Sequence, residues 1–173
     1  MVETTNEDDN TIKWASIPLI IPEIFRMPKE KRNVMLFNTQ VYASVKYDGT
    51  NIGRDTTGLM YGRNKVIKAG TKSYQKTPLA SVEKIDTEKI FNELIKITSL
   101  HRDTVKNFVV YAELMCNKDL FDYNDRGLFG TCPIFGAMIK PASTDAVSQI
   151  TKTLGESGFA CMIRSDKEEE EES

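Results

Sequence analysis

The sequence predicts an α+β fold, a mostly antiparallel sheet with flanking helices. Short apolar or alternating segments outnumber helical ones, and they are joined by hairpin turns or by single helices. No strand leads through a glycine-rich phosphate loop into a helix, so a doubly wound parallel sheet fits worse. With 173 residues, 40% of them apolar, the chain has the length of one domain and the means to fill a core.

Residues 1–11 are polar and acidic, which predicts a disordered leader and no secretory signal. Trp14–Phe25 reads as an extended segment with a proline turn. Its apolar stretch Ile17-Pro18-Leu19-Ile20-Ile21-Pro22 is too short and too proline-broken to cross a membrane, so it is expected to dock on the core. Pro28–Arg32 predicts a turn or a short helix. Phe37–Lys46 predicts a strand. Asn51–Asp55 and Leu59–Arg63 form a hairpin around Asp55-Thr56-Thr57-Gly58, and Val66–Ala69 continues the sheet.

Ile85–Leu100 is the clearest helix, with Ile85, Ile90, Leu94, Ile95 and Ile97 as its apolar stripe and Asp86 or Thr87 as its cap. Phe108–Leu114 predicts a buried strand, Leu120–Asp125 a polar loop bearing a tyrosine, and Ile134–Ile139 a second buried strand. Ser143–Leu154 predicts a helix with Ala146, Val147, Ile150 and Leu154 inward and Gly155 closing it. Phe159–Ile163 is the last expected strand. The run Glu168–Glu172 is a solvated charge run. One domain is therefore expected over residues 12–165, followed by an acidic tail at 166–173.

The net charge of −2 advertises no global attraction for nucleic acid. Locally the balance differs. Arg63, Lys65, Lys68, Lys72 and Lys76 fall in residues 63–76 with no acid among them, a stretch that suits phosphates or a simple solvated loop. Cys116, Cys132 and Cys161 are odd in number and lack C-x-x-C spacing, as expected of reduced thiols in an intracellular protein, cytoplasmic or nuclear. His101 is the sole histidine, which excludes a Ser-His-Asp or multi-histidine metal mechanism.

The segment most informative about chemistry is Lys46-Tyr47-Asp48-Gly49-Thr50-Asn51. The apolar run Val41, Tyr42, Ala43 and Val45 can bury the lysine stem and favour a neutral, attacking amine. A lysine amine titrates near ~10.4 by itself, so it needs such help to act as a nucleophile. Gly49 allows a sharp turn and close approach of a ligand. The plainer reading is a surface Asp-Gly turn.

This segment resembles the nucleophile motif of the covalent nucleotidyltransferases: ATP-dependent DNA ligases, RNA ligases and mRNA capping enzymes. Three more segments match in the family's order. Tyr61-Gly62-Arg63-Asn64 resembles the second motif, Val109-Val110-Tyr111-Ala112-Glu113-Leu114 the third, and Pro133-Ile134-Phe135-Gly136-Ala137 the next. Asn51 stands where DNA ligases and capping enzymes usually carry arginine. That points to the RNA-ligase branch and away from a GTP-using capping-type transferase. The resemblance covers roughly residues 35 to 165. The family's later motifs, a Glu-Gly pair and a Lys-x-Lys strand, are not found, so the expected domain is an incomplete nucleotidyltransferase (ATP-grasp-like ligase) domain.

The resemblance implies that Lys46 forms a lysyl-AMP from ATP with Mg²⁺, and that RNA 5′-phosphate and 3′-hydroxyl ends are then joined. It implies nucleotide contacts from Val45, Asp48, Gly49, Asn51, Arg63, Glu113 and Phe135, with Glu113 also at the metal. Alternatives stand beside each role. Asp48 and Asn51 suit turns, Arg63 suits a surface ion pair, and Phe135 suits a core. A carboxylate ending an apolar strand is costly to bury unpaired, which favours a site role for Glu113. The whole chain could also be a non-catalytic module that holds a nucleotide or a partner.

Overall fold

The computed structural model describes residues 26–38, 46–63, 65–116 and 123–159. The chain divides into two compact units, Ala15–Tyr47 and a larger one that includes everything from Asp48 onward. In the small unit, α1 spans Lys29–Asn38. Its first turn is set by the Arg32 amide bonding to the Pro28 carbonyl at 3.0 Å. The helix overruns the turn or short helix expected at Pro28–Arg32, and it takes Phe37 and Asn38 out of the predicted strand. Lys-Glu-Lys-Arg and Met-Leu are good helix formers, and no proline stops them. Lys46 carries no strand either. The rest of that expected strand, the leader, Trp14–Phe25 and the acidic tail lie outside the described residues.

The larger unit holds strands β1 (Thr50–Asp55), β2 (Met60–Tyr61), β3 (Val66–Ile67), β4 (Ser73–Tyr74), β5 (Thr77–Pro78), β6 (Val105–Leu114) and β7 (Ile134–Pro141). Its helices are α2 (Ala80–Glu83), α3 (Thr87–Thr98) and α4 (Thr144–Glu156), and a 3₁₀ turn spans Arg102–Thr104. The main sheet runs β3-β2-β1-β6-β7, antiparallel throughout, and β4-β5 is a separate ribbon. The α+β class with a mostly antiparallel sheet is what the sequence predicted.

The hairpin at Asp55–Gly58 forms because Asp55 closes it. Its Oδ1 accepts from the Thr57 amide (2.9 Å), the Thr57 hydroxyl (2.7 Å) and the Leu59 amide (3.0 Å), and its Oδ2 accepts from the Tyr61 hydroxyl (2.8 Å). Gly58, at φ +87°, supplies the left-handed step.

Alternation along β6 builds two cores. Phe108, Val110, Ala112 and Leu114 join Ile52, Leu79, Val82, Phe91, Ile150 and Leu154 on the helical face. Val109 and Tyr111 meet Tyr61, Val66 and Met138 on the other. Phe91 stacks on Phe108 at 4.6 Å between centroids, and burying such a ring contributes about 2 to 3 kcal/mol.

Two expected inward faces shift. Asp86 caps α3, accepting from the Lys89 amide at 3.0 Å, but the buried residues of α3 are Thr87, Phe91 and Thr98, whereas Ile97 is 67% exposed. Ile85 is buried and Ile90, Leu94 and Ile95 pack against the core as expected, so the face gains Phe91 and loses only Ile97. β7 is less buried than predicted, with Ile134 51% and Phe135 46% exposed. In α4, Ala146, Ile150 and Leu154 are buried, and Gly155 lies within the helix rather than closing it. The left-handed residue that ends it is Gly158, at φ +84°. The Phe159–Ile163 strand begins at a Phe159 without regular structure, and its remainder lies outside the described residues.

Candidate functional site

The site residues gather where β1 begins. Pairing of β1 with β6 sets Thr50 opposite Leu114 and Asn51 opposite Glu113. Just upstream, the Gly49 amide donates to Glu113 Oε1 at 2.8 Å. The strand must pass so close here that a Cβ on Gly49 would overlap the Leu114 carbonyl and lie 3.0 Å from Glu113 Cγ. Glycine is required by this approach of backbone to backbone. Glu113 is half-buried, and its own amide bonds to the Pro133 carbonyl of the chain leading into β7 at 3.0 Å.

The residue before Gly49 is also held. The Tyr123 hydroxyl accepts from the Asp48 amide at 3.1 Å and donates to the Asp48 carbonyl at 3.3 Å. Tyr123 is 6% exposed. The sequence indicated only a tyrosine in a polar loop there, and its reach across the fold was not foreseen. Asp55 is likewise marked by the sequence only as part of a turn, without its four bonds.

Of the sequence-predicted residues, the fold brings Asp48, Gly49, Asn51 and Glu113 together. Arg63 follows β2 in the turn to β3, where the Gly62 amide bonds to the Lys65 carbonyl at 2.8 Å. The ladder pairs Tyr61 with Gly53, so the chain beyond Tyr61 heads toward the Asn51 end of β1. Arg63 itself is solvent-exposed. Phe135 is the extra residue of a bulge, since Tyr111 pairs with Gly136 but Ala112 with Ile134. Lys46 is exposed and belongs to the small unit with Tyr47. Val45 lies outside the described residues.

The basic segment is exposed at Arg63, Lys65, Lys68, Lys72 and Lys76, and Lys72 pairs with Glu83 at 3.7 Å. Cys116 is buried and Cys132 half-buried. Among the described residues no three His, Cys, Asp or Glu side chains gather as a metal site. A concavity of about 710 Å³ lies elsewhere, between α3 and β7, lined by Ile85, Ile90, Leu94, Ile97, Ile134 and Phe159. It is an open apolar groove with none of the predicted site residues in its walls.

Two tyrosines flank the site on the non-helical sheet face. Burial first, then the hydrogen bond to the Asp55 carboxylate, pushes the Tyr61 phenol up to about 12. Burial also raises Tyr111, with Tyr61 adding to it. Both therefore serve as neutral hydroxyls at ordinary pH.

No protein-family model, no curated protein and no solved structure matches the chain. No helix among the described residues is long and apolar enough to cross a membrane.

Proposed function

We propose that the chain is an RNA ligase-like adenylyltransferase domain that forms a lysyl-AMP on Lys46 from ATP. The observation that carries this is the 2.8 Å bond from the Gly49 amide to Glu113 Oε1. It joins the first and third of the four resembling segments across 64 residues of chain. Lys46 stands two residues before Asp48 in the sequence.

In this reading the unprotonated Lys46 Nζ attacks the α-phosphorus of ATP. The N–P bond forms, the P–O bond to the β-phosphate breaks, pyrophosphate leaves, and the amine proton passes to solvent. An RNA 5′-phosphate oxygen then displaces the lysine from phosphorus. A 3′-hydroxyl displaces AMP and seals the strand. Arg63 and the lysines after it supply positive charge for phosphates, Asn51 and Glu113 face the ribose side, and Phe135 offers a ring to the base. Glu113 would hold a Mg²⁺ arriving on the nucleotide phosphates, and the ion would supply charge neutralisation for the leaving pyrophosphate.

The test is incubation with α-labelled ATP and magnesium, followed by a denaturing gel. Wild-type chain takes up label, GTP competes poorly, and Lys46→Ala abolishes labelling. Label that survives Lys46→Ala removes the nucleophile assignment, and a wild-type chain that stays unlabelled removes the covalent step.

The exposure of Lys46 favours a second reading. A neutral nucleophilic amine calls for some desolvation, and a module that holds nucleotide without covalent chemistry does not need it. Calorimetry that finds ATP binding in a chain that never labels selects this reading.

A further inference from the structure

We infer that Tyr123 is a positioning residue for the nucleophile loop, through a hydroxyl that grips both backbone groups of Asp48. The inference rests on the reaction proposed above, but its structural half stands apart from it. One hydroxyl accepts from the Asp48 N–H and donates to the Asp48 carbonyl, at 3.1 and 3.3 Å. The next residue, Gly49, gives its amide to Glu113. Two successive peptide units after Lys46 and Tyr47 are thus fixed by side chains from distant parts of the chain.

Tyr123 is itself preorganised. Its carbonyl accepts from the amides of Leu128 (3.0 Å), Arg126 (3.3 Å) and Phe129 (3.3 Å). The turn it opens is bolted to the end of β6, with the Gly130 amide on the Met115 carbonyl (2.8 Å) and the Met115 amide on the Thr131 carbonyl (2.9 Å). The Ser81 hydroxyl of α2 bonds to the Gly130 carbonyl as well. The phenol therefore pivots on a braced frame that is continuous with the strand carrying Glu113. In-line transfer depends on holding the nucleophile within a narrow range of positions, and this clamp fixes the chain two residues from Lys46.

Residue-resolved amide hydrogen exchange and ATP labelling, run on wild type and Tyr123→Phe, test the inference. In wild type the Asp48 amide is protected like the β1 amides. Asp48 exchanging as fast as a solvent-exposed residue overturns the clamp without any variant. In Tyr123→Phe the Asp48 amide exchanges about tenfold faster, the worth of one hydrogen bond. Maximal labelling rate falls by about tenfold while the KM for ATP moves by less than about twofold, the split of a lost alignment rather than lost binding. Faster exchange with an unchanged labelling rate overturns the positioning role. A wild-type chain that shows protection but takes no label refutes the reaction proposed above, and with it the catalytic purpose of the clamp, while leaving the hydrogen bond established.

Discussion

Gly49 carries the tightest steric requirement at the site. Its amide serves Glu113, and its Cα lies against the Leu114 backbone, which cannot retreat without breaking the β1–β6 ladder. Gly49→Ala should therefore lower stability by about 2 kcal/mol through overpacking. It should also cut ATP labelling more than that loss of folded chain explains. Urea denaturation beside the labelling assay checks both, and an unperturbed midpoint would show that the strand yields. The residue pattern at this scale was largely legible: a glycine after an acid, and a glutamate ending an apolar strand, were singled out from the sequence. Tyr123 was not, because its partner stands 75 residues away and no local pattern encodes a contact of that span.

At the scale of elements, the β1–β2 hairpin depends on one carboxylate. Asp55 is 3% exposed and satisfies three donors of its own turn and a tyrosine on the next strand. Asp55→Ala leaves those donors without their acceptor and should cost about 3 kcal/mol, read from chemical denaturation. A loss under about 1 kcal/mol would mean that water replaces the carboxylate without strain. The hairpin was legible because Asp-Thr-Thr-Gly is a local signal. The place of Phe91 was not. Ile85, Ile90, Leu94 and Ile95 of the expected stripe pack in or against the core and Ile97 alone turns outward, while Phe91, outside that stripe, stacks on Phe108. The full length of the helix at Lys29–Asn38 is not legible either, since Phe37 and Asn38 head a run that fits strand and helix equally.

For the whole molecule, the phenols beneath the site predict how stability varies with pH. Tyr61 titrates near 10 when unfolded and at about 12 when folded. A raised folded value means that its contribution is complete below pH 10 and is lost as pH climbs from there toward 12. Tyr111 is shifted in the same direction. Thermal melting should thus hold steady up to about pH 10 and decline above it, with a shallower decline in Tyr61→Phe. Equal slopes for the two proteins would place the alkaline loss elsewhere. The fold class was legible because hairpins and isolated helices leave local marks, whereas the division at Tyr47 left none.

The hydroxyl of Tyr123 and the carboxylate of Glu113 reach the same short loop from 75 and 64 residues downstream. Neither tether exists until β1 has found β6, a long-range encounter that must meet its loop-closure entropy first. The loop after Lys46 therefore gains both tethers only after that encounter. During synthesis the second tether would wait until the ribosome had released the turn that begins at Tyr123.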